Sequence, residues 1–272
     1  MINDLTKILK NIKEKNPLIH QITNYVTVND CANVTLAIGA SPVMADDEAE
    51  VEEFVSIASA LLINIGTLSK DGKNSILKAI KKANEIDVPV ILDPVGVGAT
   101  KFRKEFVEKL LKETEISCIR GNISEIKAIL NLSSNTRGAD ASKDDIESLE
   151  NTANLAKKLA KDLSTVIVIT GEIDIVTDGI VCVAIKNGNH LLPQITGTGC
   201  MCSSLVASYC GTSKNKILEA TVLGVLTMGI AGEIAYENSE NRGLGTFHKE
   251  IFNAIGNFDE NILNQKANIK IL

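Results

Sequence analysis

Apolar positions along the chain follow two spacings, one typical of amphipathic helices and one typical of buried strands. Near the amino terminus, the helical spacing is carried by Leu5, Ile8, Leu9 and Ile12. This helix is predicted to end at the Asn-Pro pair of residues 16–17, where proline disfavours a helical conformation in the residue before it. A second helix is predicted over residues 28–38, with Gly39 as its stop.

From residue 48 onward, short apolar runs rich in β-branched residues alternate with segments of helical spacing. The apolar runs lie at 60–65, 88–92, 116–119 and 165–169. The helical segments that precede them lie at 48–58, around 76–80, at 102–111 and at 155–163. Alternation of this kind is typical of βαβ units. The sequence therefore predicts an α/β fold with a mainly parallel central sheet and helices on both faces.

The carboxyl-terminal half adds a hairpin and a set of helices. Apolar runs at 175–177 and 180–183 flank an Asp-Gly pair that favours a hairpin turn, so antiparallel strands are predicted at one edge of the sheet. Helical patterns then cover 203–209 and 217–234, and a final helix is predicted around Phe247, Ile251 and Ile255. No repeat or low-complexity linker interrupts the chain. We therefore expect a single domain over residues 1–272, with the polar stretch at 133–145 as an exposed loop.

Composition narrows the classes of protein to which this chain can belong. Aromatic residues make up only 3% of the sequence and Trp is absent, so the core must be aliphatic and stacking on nucleic-acid bases is disfavoured. The net charge of −6 also disfavours binding to a nucleic-acid backbone. The amino terminus does not resemble a signal peptide, and no apolar run is expected to approach the length of a membrane span.

Cysteine usage points to a reducing compartment. The cysteines lie in apolar segments without CxxC pairs or zinc spacing, and they are Cys31, Cys118, Cys182, Cys200, Cys202 and Cys210. Such thiols are expected to be reduced and buried, as in a cytoplasmic protein. Cys200 is set apart from this expectation because it belongs to the strongest local motif.

That motif is the run Gly197-Thr198-Gly199-Cys200, which precedes a helical segment. Two glycines beside a helix start let backbone N–H groups converge on an anion, and the helix dipole adds positive potential there. Such a place can bind a phosphate or stabilise a transferring phosphoryl group, and a thiol in the first turn is expected to be reactive. The alternative is a tight turn with a small residue at the helix start. Neither a P-loop nor a GxGxxG motif after a strand is present, which disfavours those two nucleotide-binding classes.

Three further signals lie at the ends of predicted strands, the edge at which open α/β sheets bind ligands. Asp93 can hold Mg²⁺ directly or through water, with an ordinary Asp-Pro turn as the alternative. Arg120 can contact a nucleotide phosphate, and Glu125 can lie near the metal. The alternative for this segment is a helix cap in which Asn122 pairs with Glu125. Thr170 can contact the nucleotide or can simply be a polar strand end.

These segments, taken in order, resemble those of the hydroxyethylthiazole kinases, a ribokinase-like family. The matching residues are 17–24, 41–45, 93–96, 120–122 with Glu125, 170–171 and 197–200. Each piece is weak, but the ordered set is specific and covers nearly the whole chain. The resemblance implies a ribokinase-like fold and transfer of the γ-phosphoryl group of ATP to the alcohol of 4-methyl-5-(2-hydroxyethyl)thiazole, in thiamine biosynthesis or salvage. It also implies a homotrimer with active sites between subunits.

The resemblance also implies a role for each site residue. The binding pairs would be Met44 and Gly197 for the thiazole, Arg120 and Thr170 for ATP, and Asp93 and Glu125 for Mg²⁺. Gly197, Gly199 and Cys200 would form the catalytic group. Because Cys200 stands where most ribokinase-like enzymes carry an Asp base, the identity of the base is left open.

Two rival interpretations come from other functional classes. An ATP-dependent lyase of the same fold, such as a dehydratase that repairs hydrated nicotinamide nucleotides, would be expected to keep an Asp at position 200. A non-catalytic ligand-binding protein would not be expected to keep Gly197, Gly199 and Cys200 together. The sequence therefore favours the kinase.

Overall fold

The fold is that of a computed structural model, which describes residues 1–133 and 148–272. Its helices are α1 (Ile2–Lys15), α2 (Val28–Ile38), α3 (Val51–Ile57), α4 (Gly72–Glu85), α5 (Lys101–Glu113), α6 (Ile123–Ser133), α7 (Leu149–Leu163), α8 (Thr198–Thr212), α9 (Ile217–Ser239), α10 (Leu244–Gly256) and α11 (Glu260–Lys266). Its strands are β1 (Leu18–Ile22), β2 (Ser41–Val43), β3 (Ala60–Asn64), β4 (Val90–Asp93), β5 (Cys118–Asn122), β6 (Val166–Thr170), β7 (Asp174–Thr177), β8 (Cys182–Ile185) and β9 (Ile269–Ile271).

The strands of the described residues form one sheet in the order β2-β1-β3-β4-β5-β6-β7-β8-β9. Pairing is parallel from β2 through β6. It is antiparallel from β6 through β9. The predicted mainly parallel sheet with an antiparallel edge is therefore confirmed. Strand β9 was not predicted, because a three-residue segment is too short to carry a periodic signal.

Helices cover both faces of this sheet and bury two aliphatic cores. One core joins the sheet to α1, α2, α8, α9, α10 and α11. The other joins the opposite face to α3, α4, α5, α6 and α7. Strands β3 and β4 are buried along their whole length, which explains why they appear in the sequence as continuous apolar runs.

Several predicted boundaries shift once the chain is seen in three dimensions. The second helix spans Val28–Ile38 as predicted and ends at Gly39, whose φ of 99° is readily adopted by glycine. Arg120, expected just after a strand, lies within β5, because that strand continues to Asn122 and pairs with β6. A short helix, α11, follows the helix that was predicted to be the last. The predicted loop at 133–145 lies outside the described residues, apart from residue 133 at the end of α6.

The expectation about apolar length was wrong for one segment. Helix α9 has 23 residues and is long and apolar enough to cross a membrane by length and composition alone. Most of its apolar stretch, 72%, is buried inside the protein, where the helix packs against α8 and α10. Its apolar character is therefore that of a core helix.

Candidate active site

The carboxyl ends of the central parallel strands bring most of the predicted site residues to one edge of the sheet. Asp93 ends β4, Thr170 ends β6, and Arg120 lies near the end of β5. Helix α8 starts at the same edge and presents Gly199 and Cys200 in its first turn. Parallel strands and a helix amino terminus that meet in this way form the usual ligand edge of an open α/β sheet.

Gly197 and Gly199 are both required where they stand, for different reasons. Gly197 caps α8 with a φ of 91°, and a Cβ there would lie 2.7 Å from Cγ2 of Thr27. Gly199 has a helical conformation, but a Cβ would lie 2.7 Å from Nη1 of Arg120. The first glycine therefore shapes the turn, and the second allows a guanidinium to approach the start of the helix.

Arg120 joins the strand ends to this helix start. Its Nη2 donates to Oγ1 of Thr170 at 2.9 Å, and its Nη1 lies 3.7 Å from Oδ2 of Asp93. The side chain is 13% exposed and its Nε has no partner. A positive group is thus held almost out of water, beside the two residues that the sequence assigned to nucleotide and metal.

Asp93 is fully buried, and only one of its two carboxylate oxygens accepts hydrogen bonds. Its Oδ2 accepts hydrogen bonds from Nδ2 of Asn64 at 2.9 Å and from Oγ of Ser203 at 2.8 Å, whereas its Oδ1 has no partner. Burial raises the pKa of Asp93 above its ordinary value, and the charge of Arg120 opposes this rise. A buried oxygen without a partner is costly in an isolated protein, and a cation would satisfy it.

Glu125 caps α6, as one of the two interpretations of its motif predicted. Its Oε2 accepts from the backbone N–H of Asn122 at 2.9 Å, while Oδ1 of Asn122 accepts from the backbone N–H of Glu125 at 3.0 Å. Its Oε1 accepts from the backbone N–H of Gly96 at 2.9 Å. Each carboxylate oxygen has a second lone pair, so the cap does not prevent a further contact with a metal or its water.

A cavity of about 250 Å³ lies between these groups. It is lined by Asp93, Val95, Arg120, Asn122, Glu125, Gly197, Gly199 and Cys200. Within the described residues, no three acidic, His or Cys side chains cluster as a complete metal site. Two carboxylates on one cavity nevertheless suit Mg²⁺, which usually takes one or two carboxylates and completes its shell with phosphates and water.

Cys200 is half-buried, in contrast to the other five cysteines, which are buried as predicted. Its Sγ accepts from Nδ2 of Asn24 at 3.3 Å and from Nδ2 of Asn64 at 3.2 Å. Asn64 and Ser203 were not among the predicted site residues. The rule that located Asp93 and Thr170, a polar residue at the end of a buried strand, also finds Asn64 at the end of β3.

Met44 lines neither this cavity nor the larger cavity beside it. It is half-buried and follows β2, which is separated from β3 by β1. The next residue, Ala45, is held by His20, whose Nε2 lies 2.7 Å from the Ala45 carbonyl oxygen. Burial lowers the pKa of His20, which favours its neutral form and a structural role in fixing this segment.

A larger cavity of about 980 Å³ adjoins the smaller one and shares Arg120 and Gly199 with it. Its polar end includes Thr170 and Asp174. Its apolar side includes Leu192, Pro193, Val225 and Met228. Burial raises the pKa of Asp174 to about 6, and its Oδ1 accepts from the backbone N–H of Gly171 at 2.9 Å. An apolar space that ends in a guanidinium and a helix amino terminus has the size and polarity that a nucleotide needs.

Comparisons with known proteins agree with this geometry. The chain matches the sequence model of the "HK: Hydroxyethylthiazole kinase family" over residues 9–261. It is 53% identical over 268 residues to a hydroxyethylthiazole kinase of Alkaliphilus oremlandii (strain OhILAs), covering 98% of this chain and 97% of the relative. A solved hydroxyethylthiazole kinase protein from Pyrococcus horikoshii OT3 superposes with a TM-score of 0.90 at 37% identity, covering 99% of each chain.

A more distant structure extends the likeness at the level of fold. A ribokinase-like superfamily protein from Enterococcus faecalis V583 superposes with a TM-score of 0.62 at 12% identity, over 96% of this chain and 95% of the other. Identity this low shows the fold alone. The predicted ribokinase-like α/β fold is therefore confirmed.

Proposed function

This chain belongs to the hydroxyethylthiazole kinase family, and we propose that its phosphoryl transfer takes place at the cavity lined by Asp93, Arg120, Glu125 and Cys200. The protein is a kinase that phosphorylates hydroxyethylthiazole, in thiamine biosynthesis, with ATP as co-substrate. The observation that supports this location is the meeting of two carboxylates, a guanidinium, a helix amino terminus and a half-buried thiol on one small cavity. Phosphoryl transfer depends mainly on such positioning and neutralisation of charge.

ATP occupies the larger cavity in this proposal. Its base lies against the apolar side, near Leu192 and Met228, and its phosphates extend toward Arg120 and Thr170. The shared walls of the two cavities, Arg120 and Gly199, then lie beside the γ-phosphoryl group. The guanidinium and the backbone N–H groups at the start of α8 stabilise its negative charge.

Mg²⁺ is held by Asp93 and Glu125 in this proposal. The free Oδ1 of Asp93 and the remaining lone pairs of Glu125 are the donors that support this assignment. Mg²⁺ held by these carboxylates would neutralise part of the negative charge on the phosphates of ATP. Omission of Mg²⁺ is expected to abolish turnover. It is also expected to weaken ATP binding, which isothermal titration with and without EDTA measures.

Cys200 accepts the proton of the alcohol in the proposed transfer. The alcohol oxygen bonds to the γ-phosphorus, the bond from that phosphorus to the bridging oxygen of ADP breaks, and the proton passes to Sγ of Cys200. The competing account gives Sγ no proton and assigns the rate to Mg²⁺, Arg120 and the α8 amino terminus. The acceptor role of Sγ toward two amide groups supports the first account.

A homotrimer with active sites between subunits accounts for Met44 in this proposal. Met44 is expected to contact the thiazole, yet it lies outside the Cys200 cavity of its own chain. Large apolar side chains are exposed on α2, on α3 and on the segment before α2, and they are Tyr25, Val26, Leu36 and Ile57. Light scattering is expected to give a mass three times the 29.1 kDa chain. A fully active monomer at micromolar concentration would contradict the shared site.

We propose a cytoplasmic location and a single kinase domain over residues 1–272, since the buried free cysteines and the continuous sheet support both. We propose neither a membrane nor a nucleic acid as a partner of this protein.

The experiment that tests the function is a coupled ADP-release assay over a panel of acceptors. Hydroxyethylthiazole is expected to stimulate ADP release far more than pyridoxal or ribose. The hydroxymethylpyrimidine alcohol tests whether related acceptors are used, and a hydrated nicotinamide nucleotide tests the rival lyase. Equal or greater turnover with a sugar or with the hydrated nucleotide would contradict the assignment.

A further inference from the structure

Asn64 lies between the carboxylate and the thiol of the site. It ends β3 opposite Asp93 in the sheet register and is 4% exposed. Its Nδ2 donates to Oδ2 of Asp93 at 2.9 Å and to Sγ of Cys200 at 3.2 Å. Its Oδ1 accepts from the backbone N–H of Gly66 at 2.9 Å and from Nδ2 of Asn24 at 3.1 Å. One neutral side chain thus makes four contacts at the point where proton transfer is proposed.

The orientation of this amide is fixed by its neighbours. A backbone N–H can only donate, so the atom that faces Gly66 must be the oxygen. The NH₂ group therefore faces the other way, and its two N–H bonds match two acceptors, Oδ2 of Asp93 and Sγ of Cys200. If the amide were flipped, its oxygen would face two other acceptors, Oδ2 of Asp93 and Sγ of Cys200, and its NH₂ group would face the backbone N–H of Gly66, which is also a donor.

The orientation of the Asn24 amide is determined in the same way, and its NH₂ group is a second donor to the sulfur of Cys200. Its Oδ1 accepts from the backbone N–H and from Oγ1 of Thr27, both at 3.1 Å. Its Nδ2 therefore points toward Oδ1 of Asn64 and Sγ of Cys200. The sulfur of Cys200 receives two N–H donors, and hydrogen bonds to a charged sulfur are stronger than those to a neutral thiol.

We propose that Asn64 is a positioning residue for phosphoryl transfer, which holds Sγ of Cys200 as a hydrogen-bond acceptor and ties it to Asp93. The role in catalysis rests on the proposed function, but the contact with the sulfur can be tested without it. Of the two amides on the sulfur, Asn64 alone also contacts Asp93, so it links the proposed proton acceptor to the proposed metal site. The proton itself ends on Cys200, and Asn64 exchanges none.

The first experiment measures how fast iodoacetamide alkylates Cys200 at neutral pH, by peptide mass spectrometry. Cys200 is the half-buried cysteine of the chain, and Cys200→Ser provides the blank. The thiolate is the nucleophile, and an N–H donor stabilises a charged sulfur more than a neutral thiol, so loss of the Asn64 donor is expected to slow alkylation. Asn64→Leu is therefore expected to react about threefold more slowly than the wild type.

Two further variants control this result. Asn64→Asp keeps an acceptor for Gly66 but replaces the N–H donor by a carboxylate oxygen, so it is expected to slow alkylation of Cys200 at least as much as Asn64→Leu. This variant also allows the test to be made if Asn64→Leu does not fold. Asn84→Leu makes the same chemical change at a residue whose amide exchanges hydrogen bonds with the Glu115 backbone, and it is expected to react at the wild-type rate.

The second experiment is a double-mutant cycle on kcat. Asn64→Leu is expected to lower kcat about tenfold with little change in the KM for either substrate. It is expected to cause no further loss in a Cys200→Ser background, because the sulfur through which it acts is gone. Unchanged alkylation in both Asn64 variants, or an equal loss of kcat in both backgrounds, would overturn the proposal. Absence of thiazole phosphorylation by the wild type would overturn the proposed function instead, and the alkylation result would still decide the contact.

Discussion

The guanidinium of Arg120, which extends from β5, lies beside the start of α8, where a phosphate would interact with the helix. Its Nη1 lies 2.7 Å from the position that a Cβ on Gly199 would take, and its Nη2 is held by Thr170. A guanidinium held in this way offers a planar fork to phosphate oxygens. The geometry thus supports a nucleotide role for Arg120 rather than a role in the sheet alone.

Substitution of Arg120 should therefore affect one substrate more than the other. Arg120→Ala is expected to raise the KM for ATP about ten- to a hundredfold, with a much smaller effect on the KM for the thiazole, because one charge-assisted contact contributes about 1.5–3 kcal/mol. Initial rates with each substrate varied in turn measure this. Arg242→Ala, which removes an exposed guanidinium that bonds to the backbone at residues 238 and 239, serves as the control. An unchanged ATP dependence would make Arg120 structural.

Cys200 variants separate a proton acceptor from a group that only shapes the cavity. Cys200→Ser is expected to lose activity by about 10²–10⁴, the usual range for removal of a general base. Cys200→Asp is expected to retain activity, because a carboxylate is ionised at neutral pH and occupies a similar space. Stability should change little, since the first turn of a helix accepts Ser or Asp. A folded Cys200→Ser enzyme with near-normal kcat would refute the base role.

Asp174 should make stability depend on pH. Its pKa is raised by burial to about 6, whereas an unfolded Asp has a value of about 3.9. Between these two pKa values the folded state holds the proton on Asp174 and the unfolded state does not. The free energy of unfolding therefore falls as pH rises through this window. The loss of stability caused by ionisation of Asp174 is complete above about pH 6. Asp174→Asn keeps the acceptor for Gly171 without the charge.

The difference in stability between Asp174→Asn and the wild type is expected to depend on pH. At pH 7.5, Asp174→Asn should be more stable than the wild type by roughly 1–2 kcal/mol, because the side chain is half-buried and water screens part of the penalty. At about pH 4 the two proteins should have nearly the same stability. Urea unfolding at both pH values measures the difference. A stability gain of equal size at both would show that ionisation of Asp174 is not its cause.

At the scale of elements, α8 and α9 pack so closely at Gly224 that no Cβ fits at this position. Both helices are buried on nearly all sides, and a Cβ on Gly224 of α9 would lie 2.7 Å from the backbone nitrogen and Cα of Val206 in α8. Because these atoms belong to backbone, they cannot move aside as a flexible side chain can. The position of α8, and with it Cys200, thus depends on a glycine in another helix.

Gly224→Ala should therefore destabilise the protein despite the higher helix propensity of alanine. The expected loss is about 1–3 kcal/mol from overpacking. Gly245→Ala is the matched control, since Gly245 lies in α10 and a Cβ there would meet nothing within 4 Å. It should be neutral or more stable by up to about 1 kcal/mol. Thermal unfolding of both variants tests this, and equal effects would show that close packing at Gly224 does not limit stability.

The elements themselves could largely be predicted from the sequence, because their signals are local. The apolar periodicity of α1 and the glycine stop of α2 required no knowledge of the rest of the chain. The extension of β5 to include Arg120 could not be predicted, because it depends on pairing with β6. Nor could β9, which is stabilised by its pairing with β8 rather than by its own sequence.

The candidate site likewise contains some residues that could be predicted from the sequence and others that could not. Asp93 and Thr170 could be found because polar residues at the ends of buried strands stand out in a sequence. The contacts of Asn64 with Cys200, across 136 residues, exist only in the folded protein. The capping and metal interpretations of Glu125 could not be separated by sequence, and the structure confirms the cap while the metal contact stays a prediction.

At the scale of the whole molecule, the sheet places the two cavities side by side at one edge. The larger can hold a nucleotide and the smaller can hold the reacting groups, with Arg120 and Gly199 as their common wall. Met44 follows β2, and strands β1 and β3 separate β2 from β4, the nearest strand that lines the Cys200 cavity. We therefore expect the nucleotide side of the site to be complete within one chain and the thiazole side to be completed by a neighbouring subunit.

The most direct test of the account is to identify and count the products of one reaction. Purified protein, ATP, Mg²⁺ and hydroxyethylthiazole are incubated, and phosphorus NMR together with mass spectrometry measures ADP, inorganic phosphate and the phosphate ester of the thiazole. We expect the ester and ADP to form in a one-to-one ratio, and Cys200→Ser to form both far more slowly. ADP accompanied by inorganic phosphate alone, or formed at the same rate without the thiazole, would contradict it.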